Sequence, residues 1–421
     1  MDARQVAEQL EITDYIGSIE PGWEQSQETA AAAMPHMLAP DFVETACEAA
    51  CISSQYRPAV LAAAAEISRN EAASALARYA WYWLHGTQYD GARIRALPRL
   101  THSLGASGGL LYLIALISGF ERMQEVHRRH AIPEDVVRDT LSQIDLYFRE
   151  TIAEQGYPEV VPHLVAWLMN HYQGIIYRLA RLQFQFGDNR YSIRVSRNRQ
   201  TNEVLALSED GVRFRPDGQV LRPGDDCEGS WEAQLSVADG VAQGNPILPQ
   251  GRALTDQVRL SLDEWQQVLA PGDPVLHLHI PGGEPMAYDA CGEAFRQALE
   301  FFPRHFPEYR FNAFMCGSWI LDTALQEIAA ETSNMVRFQR EVYLFPIGLR
   351  DDSLPSGLFG GLLRKMPEDL SQAPRDTSLQ RAYLDARGSG GLVSGGGGCF
   401  LLPEDVDWGA QVYVRQPGHR E

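Results

Sequence analysis

The chain has 421 residues, with 36 basic against 55 acidic side chains, 45% hydrophobic content and six cysteines. That is too long for one ordinary domain and apolar enough to bury two or three cores. A formal charge of −19 repels phosphate backbones and anionic lipid, which argues against a general nucleic-acid binder and against a basic membrane anchor.

The chain opens Met1-Asp2-Ala3-Arg4-Gln5 and continues through Glu8, Glu11 and Asp14, without the basic start and apolar core of a signal peptide, so the expected location is the cytoplasm. An N-terminal arm is expected over 1–39. From 40 to 182 the apolar residues recur at three- and four-residue intervals, which predicts a helical domain. Its helices are expected at Tyr56 to Ile67, Ala72 to Leu84, Leu110 to His130, Pro133 to Ala153 and Val161 to Leu182. The most apolar run, Leu104 to Phe120, is interrupted by Gly105, Ser107, Gly108, Gly109, Ser118 and Gly119. It falls short of the ~20 apolar residues of a membrane span and reads as a buried helix. The cysteines at 47, 51, 227, 291, 316 and 399 form no Cys-x-x-Cys pair, and reduced thiols are expected.

Past Arg181 the pattern turns to alternation, as in Leu182-Gln183-Phe184-Gln185-Phe186, with Asp-Gly turns at 210, 217 and 239, and strands follow. Ser261-Leu262-Asp263-Glu264 has capping-box spacing and predicts a short helix to Ala270. Val275 to Ile280 reads as a strand, Pro281-Gly282-Gly283 as a tight turn and Pro285 to Phe302 as a helix. Tyr309 to Trp319 then reads as a strand, Ile320 to Ala330 as a helix and Val336 to Phe345 as a third strand. This alternation predicts an α/β layer over 183–350. The remainder, 351–421, is a Gly-rich C-terminal extension with a short helix from Ser378 to Arg387 and a hairpin tip at Gly395 to Gly398. The class is α+β: an all-helical N-terminal domain, a mixed α/β domain and the extension.

His277 and His279 sit two apart on a strand and share one face. Either could serve as a base or positioning group, and together they could start a metal site, but further ligands at recognisable spacing are missing, so no metal is expected. The Gly282-Gly283 turn between strand and helix lets a backbone approach a ligand, and free N–H groups there can hold a phosphate. Cys316 and Ser318 share the opposite parity from Gly317 on the next strand.

Several short motifs, in order, resemble those of a bacterial family of acyltransferases. They are His127-Arg128-Arg129-His130-Ala131-Ile132-Pro133-Glu134-Asp135, Trp167-Leu168-Met169-Asn170-His171, His279-Ile280-Pro281, Phe306-Pro307-Glu308, Cys316 with Ser318-Trp319, and Ser333-Asn334 with Phe338-Gln339. That family joins a helical N-acyltransferase N-terminal domain to a GNAT-like C-terminal domain, and the resemblance spans roughly 40 to 350.

It implies an acyl-CoA co-substrate lying in a splay between two central strands, its pyrophosphate meeting the turn after the first. Ile280, Gly282, Gly283 and Asn334 would then be cofactor-binding positions, His279 the base, and Ser318 or Cys316 the proton donor to the departing thiolate. The partners would be a small-molecule acyl donor and an amine or similar acceptor. The turn differs from the usual GNAT pattern in carrying Glu284-Pro285 in place of small and basic residues. The other readings are a non-catalytic GNAT-like module and a metal-dependent hydrolase using His277 and His279.

Overall fold

The computed structural model describes residues 1–12, 19–222, 224–348, 358–362, 369–389 and 396–415. They form two compact units, one made of Met1–Arg178 with Pro281–Gly283, the other of Leu179–Ile280 with Glu284–Glu421.

The first unit is helical. Helix Glu71–Trp81 is capped by Asn70, whose side chain accepts the Ala73 N–H at 3.0 Å, leaving one fewer orphan donor at its start. Its alanine-rich sequence presents little bulk, so Ala72, Ala73, Ala75 and Ala77 are all buried and neighbouring helices can approach closely. Several expected helices are shorter than their periodicity suggests. The run from Leu110 breaks at Ser118-Gly119 into Leu111–Ile117, buried throughout, and Phe120–Arg129. A side chain at Gly119 would collide with the His85 ring. Pro133 caps Glu134–Leu141, and a separate helix, Gln143–Gln155, follows. The helix expected to reach Leu182 is Pro162–Tyr172, which gives way at Gly174 with φ +65°, a conformation glycine adopts without the Cβ penalty.

Inside this unit the carboxylate of Glu159 is buried and held by Arg99 through two bonds, Nε to Oε1 at 2.9 Å and Nη2 to Oε2 at 2.5 Å. The Glu159 N–H also donates to Thr151 Oγ1 at 3.0 Å. Removing the arginine would leave a buried charge without its main partner. Among the described residues no helix is long and apolar enough to cross a membrane.

The second unit is built on a main sheet in which Leu182–Asp188, Pro274–His279, Ala313–Ser318, Gly397–Leu401 and Tyr343–Pro346 are successive neighbours. Pro274–His279 pairs antiparallel with Leu182–Asp188 and parallel with Ala313–Ser318. Helix Tyr288–His305 packs on the sheet through Phe295 and Phe302. These rings meet Phe184 at centroid distances of 5.9 and 6.1 Å in edge-to-face contacts, the arrangement favoured by ring quadrupoles. A second, antiparallel sheet includes Val204–Ser208, Ile193–Asn198 and Trp265–Leu269. The Tyr343 hydroxyl joins the two sheets by donating to the Ile247 carbonyl and accepting the Ala206 N–H.

Three expectations fail here because long-range pairing outweighs local signals. Ser261 to Ala270 is not a helix: Val258–Ser261 and Trp265–Leu269 are strands, the latter pairing with Ile193–Asn198. Val336 to Phe345 is not one strand, because Ser333 caps a helix, Asn334–Glu341, before strand Tyr343–Pro346 begins. The helix expected over Ile320 to Ala330 shrinks to a 3-10 turn, Trp319–Leu321, and a short helix, Leu325–Ile328.

The expected helix after Ser378 is present as Ser378–Gly388, with a Thr377 capping box. The hairpin tip expected at Gly395 to Gly398 is corrected: Gly395 lies outside the described residues, while Gly397 and Gly398 begin a strand inserted between two others of the main sheet. Glycine is required there by crowding. A Cβ on Gly397 would overlap the Leu321 carbonyl, with its carbon at 2.9 Å, and one on Gly398 would enter the Phe345 ring. Gly397→Ala should therefore destabilise the protein by about 1–3 kcal/mol. Urea denaturation should show a lower midpoint with an unchanged slope.

Candidate functional site

The two central strands of the main sheet part company. Their parallel ladder runs through Val275 with Ala313, Leu276 with Phe314 and His277 with Met315, and ends there. Each strand nevertheless continues. Pro274–His279 stays paired with Leu182–Asp188 as far as His279 with Gln183, and Ala313–Ser318 stays paired with Gly397–Leu401 as far as Ser318 with Gly397. The outer neighbours thus hold the two strands apart, and a V opens between Leu278–His279 and Cys316–Ser318. Backbone edges that no longer serve each other can serve a ligand that brings its own amides.

His277 and His279 lie on this diverging strand. The His277 Nε2–H donates to the Asp188 carbonyl at 3.0 Å, since a carbonyl can only accept. His277 also occupies the space beside Gly187, where a Cβ would come within 2.9 Å of Nε2. The His279 Nε2–H donates to Gln185 Oε1 at 2.8 Å. Burial, followed by the nearby His277 and Arg190, lowers the His279 pKa from 6.5 to about 4, and burial also lowers that of His277. His279 is therefore neutral at neutral pH, with its tautomer fixed by Gln185 and one ring nitrogen left without a proton, though it is a weaker base than an exposed imidazole. Among the described residues no group of three or more His, Cys, Asp or Glu side chains is placed to hold a metal ion.

On the other arm of the V, Cys316 is buried and stands opposite Cys399 in the ladder. Burial pushes its thiol up to about 12, which makes it a reluctant proton donor. Ser318 is half-buried and its Oγ accepts the Ile320 N–H at 3.4 Å, capping the 3-10 turn. The hydroxyl of Tyr191 fills the place a side chain on Gly317 would take, a proximity that no local motif announces. Asn334 is exposed at the first position of its helix. That helix is tied to the segment after Ser318 by Gln339, whose Nε2 donates to the Ile320 carbonyl at 2.7 Å.

Ile280 is half-buried and ends the second unit's run. Beyond the turn, buried Arg181 holds the Glu284 and Pro285 carbonyls at 2.8 and 3.0 Å. The turn itself, Pro281–Gly283, belongs to the helical unit. Gly282 and Gly283 are exposed, and Gly283 has φ +78°.

A model described as GNAT-like C-terminal domain matches residues 176–400, more than half of the chain, and one described as N-acyltransferase N-terminal domain matches 41–174. The chain belongs to this two-part acyltransferase family. Among solved structures, an acyltransferase mutant in complex with octanoyl-CoA is 19% identical with a TM-score of 0.61, the match covering 96% of this chain and 99% of that one. An acyltransferase in complex with decanoyl-CoA and teicoplanin is 18% identical over the same shares, also with a TM-score of 0.61. One in complex with decanoyl-CoA alone is 21% identical with a TM-score of 0.57, covering 96% of this chain and 100% of that one. These likenesses are likenesses of fold. No curated protein sequence matches the chain significantly.

The depressed pKa of His279 sets a pH dependence. In the unfolded chain the group titrates near 6.5 and in the fold near 4, so between those values the unfolded state binds more protons. The contribution is complete above about pH 6.5 and is lost as pH falls toward 4. NMR of the His279 imidazole should show no titration between about pH 5.5 and 8. His279→Gln should flatten, though not abolish, the loss of stability on acidification, because buried His85 and His127 have pKa values lowered in the same way.

Proposed function

We propose that this family member transfers an acyl group from acyl-CoA to an amine, with the thioester in the V between strands Pro274–His279 and Ala313–Ser318. The ending of the ladder at His277 and Met315 carries this reading. A pantetheine arm has two amides in an extended chain, which suits backbone edges of two strands held apart by their outer neighbours. The pyrophosphate follows the chain direction to Gly282 and Gly283.

The amine nitrogen attacks the thioester carbonyl carbon, forming the C–N bond as the carbonyl electrons move to oxygen. Neutral His279 takes the amine proton. Collapse of the tetrahedral species re-forms the carbonyl and breaks the C–S bond, and the CoA thiolate leaves with the electron pair. Ser318 is the group we assign to pass a proton to the thiolate, its hydroxyl giving one proton as it takes another from water, in preference to Cys316, which is buried opposite Cys399. Asn334 is assigned a supporting contact near the pantetheine. Backbone N–H groups on the parted edges stabilise the oxyanion.

The acceptor we assign is an amine-bearing small molecule; teicoplanin, the glycopeptide held by a structural neighbour, gives one acceptor to try. A cytoplasmic setting fits six cysteines that are all free thiols, as expected where disulfides do not persist.

The test is release of free CoA thiol from acetyl-, octanoyl- and decanoyl-CoA in the presence of a panel of amines, alongside calorimetry of CoA binding. Turnover with at least one donor and amine pair is expected. His279→Ala should lower kcat by about 10²- to 10⁴-fold, the usual worth of a positioned base, while CoA binding persists. CoA binding without turnover for any pair would favour the non-catalytic module, and absence of CoA binding would remove the reading.

A further inference from the structure

The second unit contains a cavity of about 180 Å³. Its polar lining is Arg190, Tyr191, Ser192 and Ser208, and its apolar lining includes Phe214 and Phe345. Two of its walls reach the V. A Cβ built on Gly317 would overlap the Tyr191 hydroxyl and stand 3.0 Å from Ile347 Cδ1, and both of those residues line the cavity. Register gives the face. His277 pairs with Met315 in the parallel ladder, and alternation returns His279 and Gly317 to the face those two share. The cavity therefore adjoins the sheet on the side that carries His279. Tyr191 and Phe345 pack edge to face at 5.2 Å, which steadies the wall between cavity and strand.

Arg190 links the cavity to the histidines. It lies two residues past Asp188, whose carbonyl accepts the His277 Nε2–H at 3.0 Å, and its positive charge lowers the pKa of both His277 and His279. Arg190 is exposed, and among the described residues no carboxylate pairs with it. It is also the one charged group among the described lining residues. The groups around it are neutral: burial keeps the Tyr191 phenol protonated, and the Ser208 hydroxyl donates to the Glu209 carbonyl at 3.1 Å. A cation without a counter-charge thus stands among hydroxyls and rings, beside the face on which the transfer would occur.

We infer that this cavity receives the acyl acceptor, and that the acceptor is an amino acid with an apolar or aromatic side chain, its carboxylate held by Arg190 and its amine turned toward His279. The inference deepens the proposed function and rests on it. A guanidinium presents two parallel N–H groups that match the two oxygens of a carboxylate, a geometry an ammonium group cannot reproduce. The cavity suits one side chain of that kind, with Phe214 and Phe345 as ring partners. The neutral amine forms the C–N bond and gives its proton to His279 while the C–S bond breaks, so the products are an N-acyl amino acid and CoA, and the carboxylate is unchanged.

The experiment measures acylated product by mass spectrometry, together with CoA thiol release, from acetyl-, octanoyl- and decanoyl-CoA. The acceptors are phenylalanine, phenylalaninamide, phenethylamine and glycine. The two analogues lacking the carboxylate have amines less basic and more basic than that of phenylalanine, so basicity cannot mimic the contact. Wild type should show kcat/KM for phenylalanine at least about tenfold above that for either analogue, the worth of one charge-assisted contact. Arg190→Ala should bring that ratio near one, mainly through KM, and Arg190→Lys should restore part of it. The ratio is the readout because losing Arg190 also alters the histidine electrostatics, which act on every acceptor. Val212→Phe, which narrows the cavity, should raise KM for phenylalanine more than for glycine, with thermal melting to verify folding. A wild-type preference for either analogue, an unchanged ratio in folded Arg190→Ala, or equal effects of Val212→Phe on phenylalanine and glycine would overturn the inference and leave the proposed function standing. No thiol release by wild type with any donor and any amine would overturn both.

Discussion

A parallel ladder that stops is the constraint on which the candidate site depends. Strands that separate expose backbone groups, and a sheet tolerates this only where each strand is held elsewhere. Here Leu182–Asp188 secures one arm and Gly397–Leu401 the other. The second support is the more demanding, because that strand must lie close against Leu321 and Phe345, and only glycine fits at its first two positions. A glycine run far along the chain thus helps hold open the V beside His279.

The chemistry in the V is set by burial more than by charge pairing. His279 is neutral because desolvation penalises the imidazolium, and His277 and Arg190 push the same way. Gln185 then chooses which nitrogen carries the proton. On the facing arm the same physics works against Cys316: desolvation penalises its thiolate, so the thiol holds its proton. A single cause, low water access, therefore keeps the histidine neutral while weakening its basicity, and keeps the proton on the cysteine.

Much was legible in the sequence where local periodicity and global fold agree. The helical spacing in the first half, the strand at Val275 to Ile280 and the family motifs at His279-Ile280-Pro281 and Ser318-Trp319 all led to the right architecture. The failures share a reason. Ser261 to Ala270 has a helix cap, yet Trp265–Leu269 pairs with Ile193–Asn198, some seventy residues earlier in the chain, and that long-range ladder overrides the cap. Val336 to Phe345 is apolar enough for a strand, yet Ser333 starts a helix whose buried face is Met335, Val336, Phe338 and Gln339.

By itself the sequence determined the class of the protein and the order of its two main parts, since these follow from residue spacing and composition that act locally, whereas the splay beside the strand before Pro281 was implied only by the resemblance of its motifs to the acyltransferase family. Tertiary structure decided which groups meet: that Gln185 faces His279, that Tyr191 covers Gly317 and that Cys316 is sealed against Cys399. Such pairings are fixed by how distant elements pack, and no periodicity or motif confined to one segment encodes them.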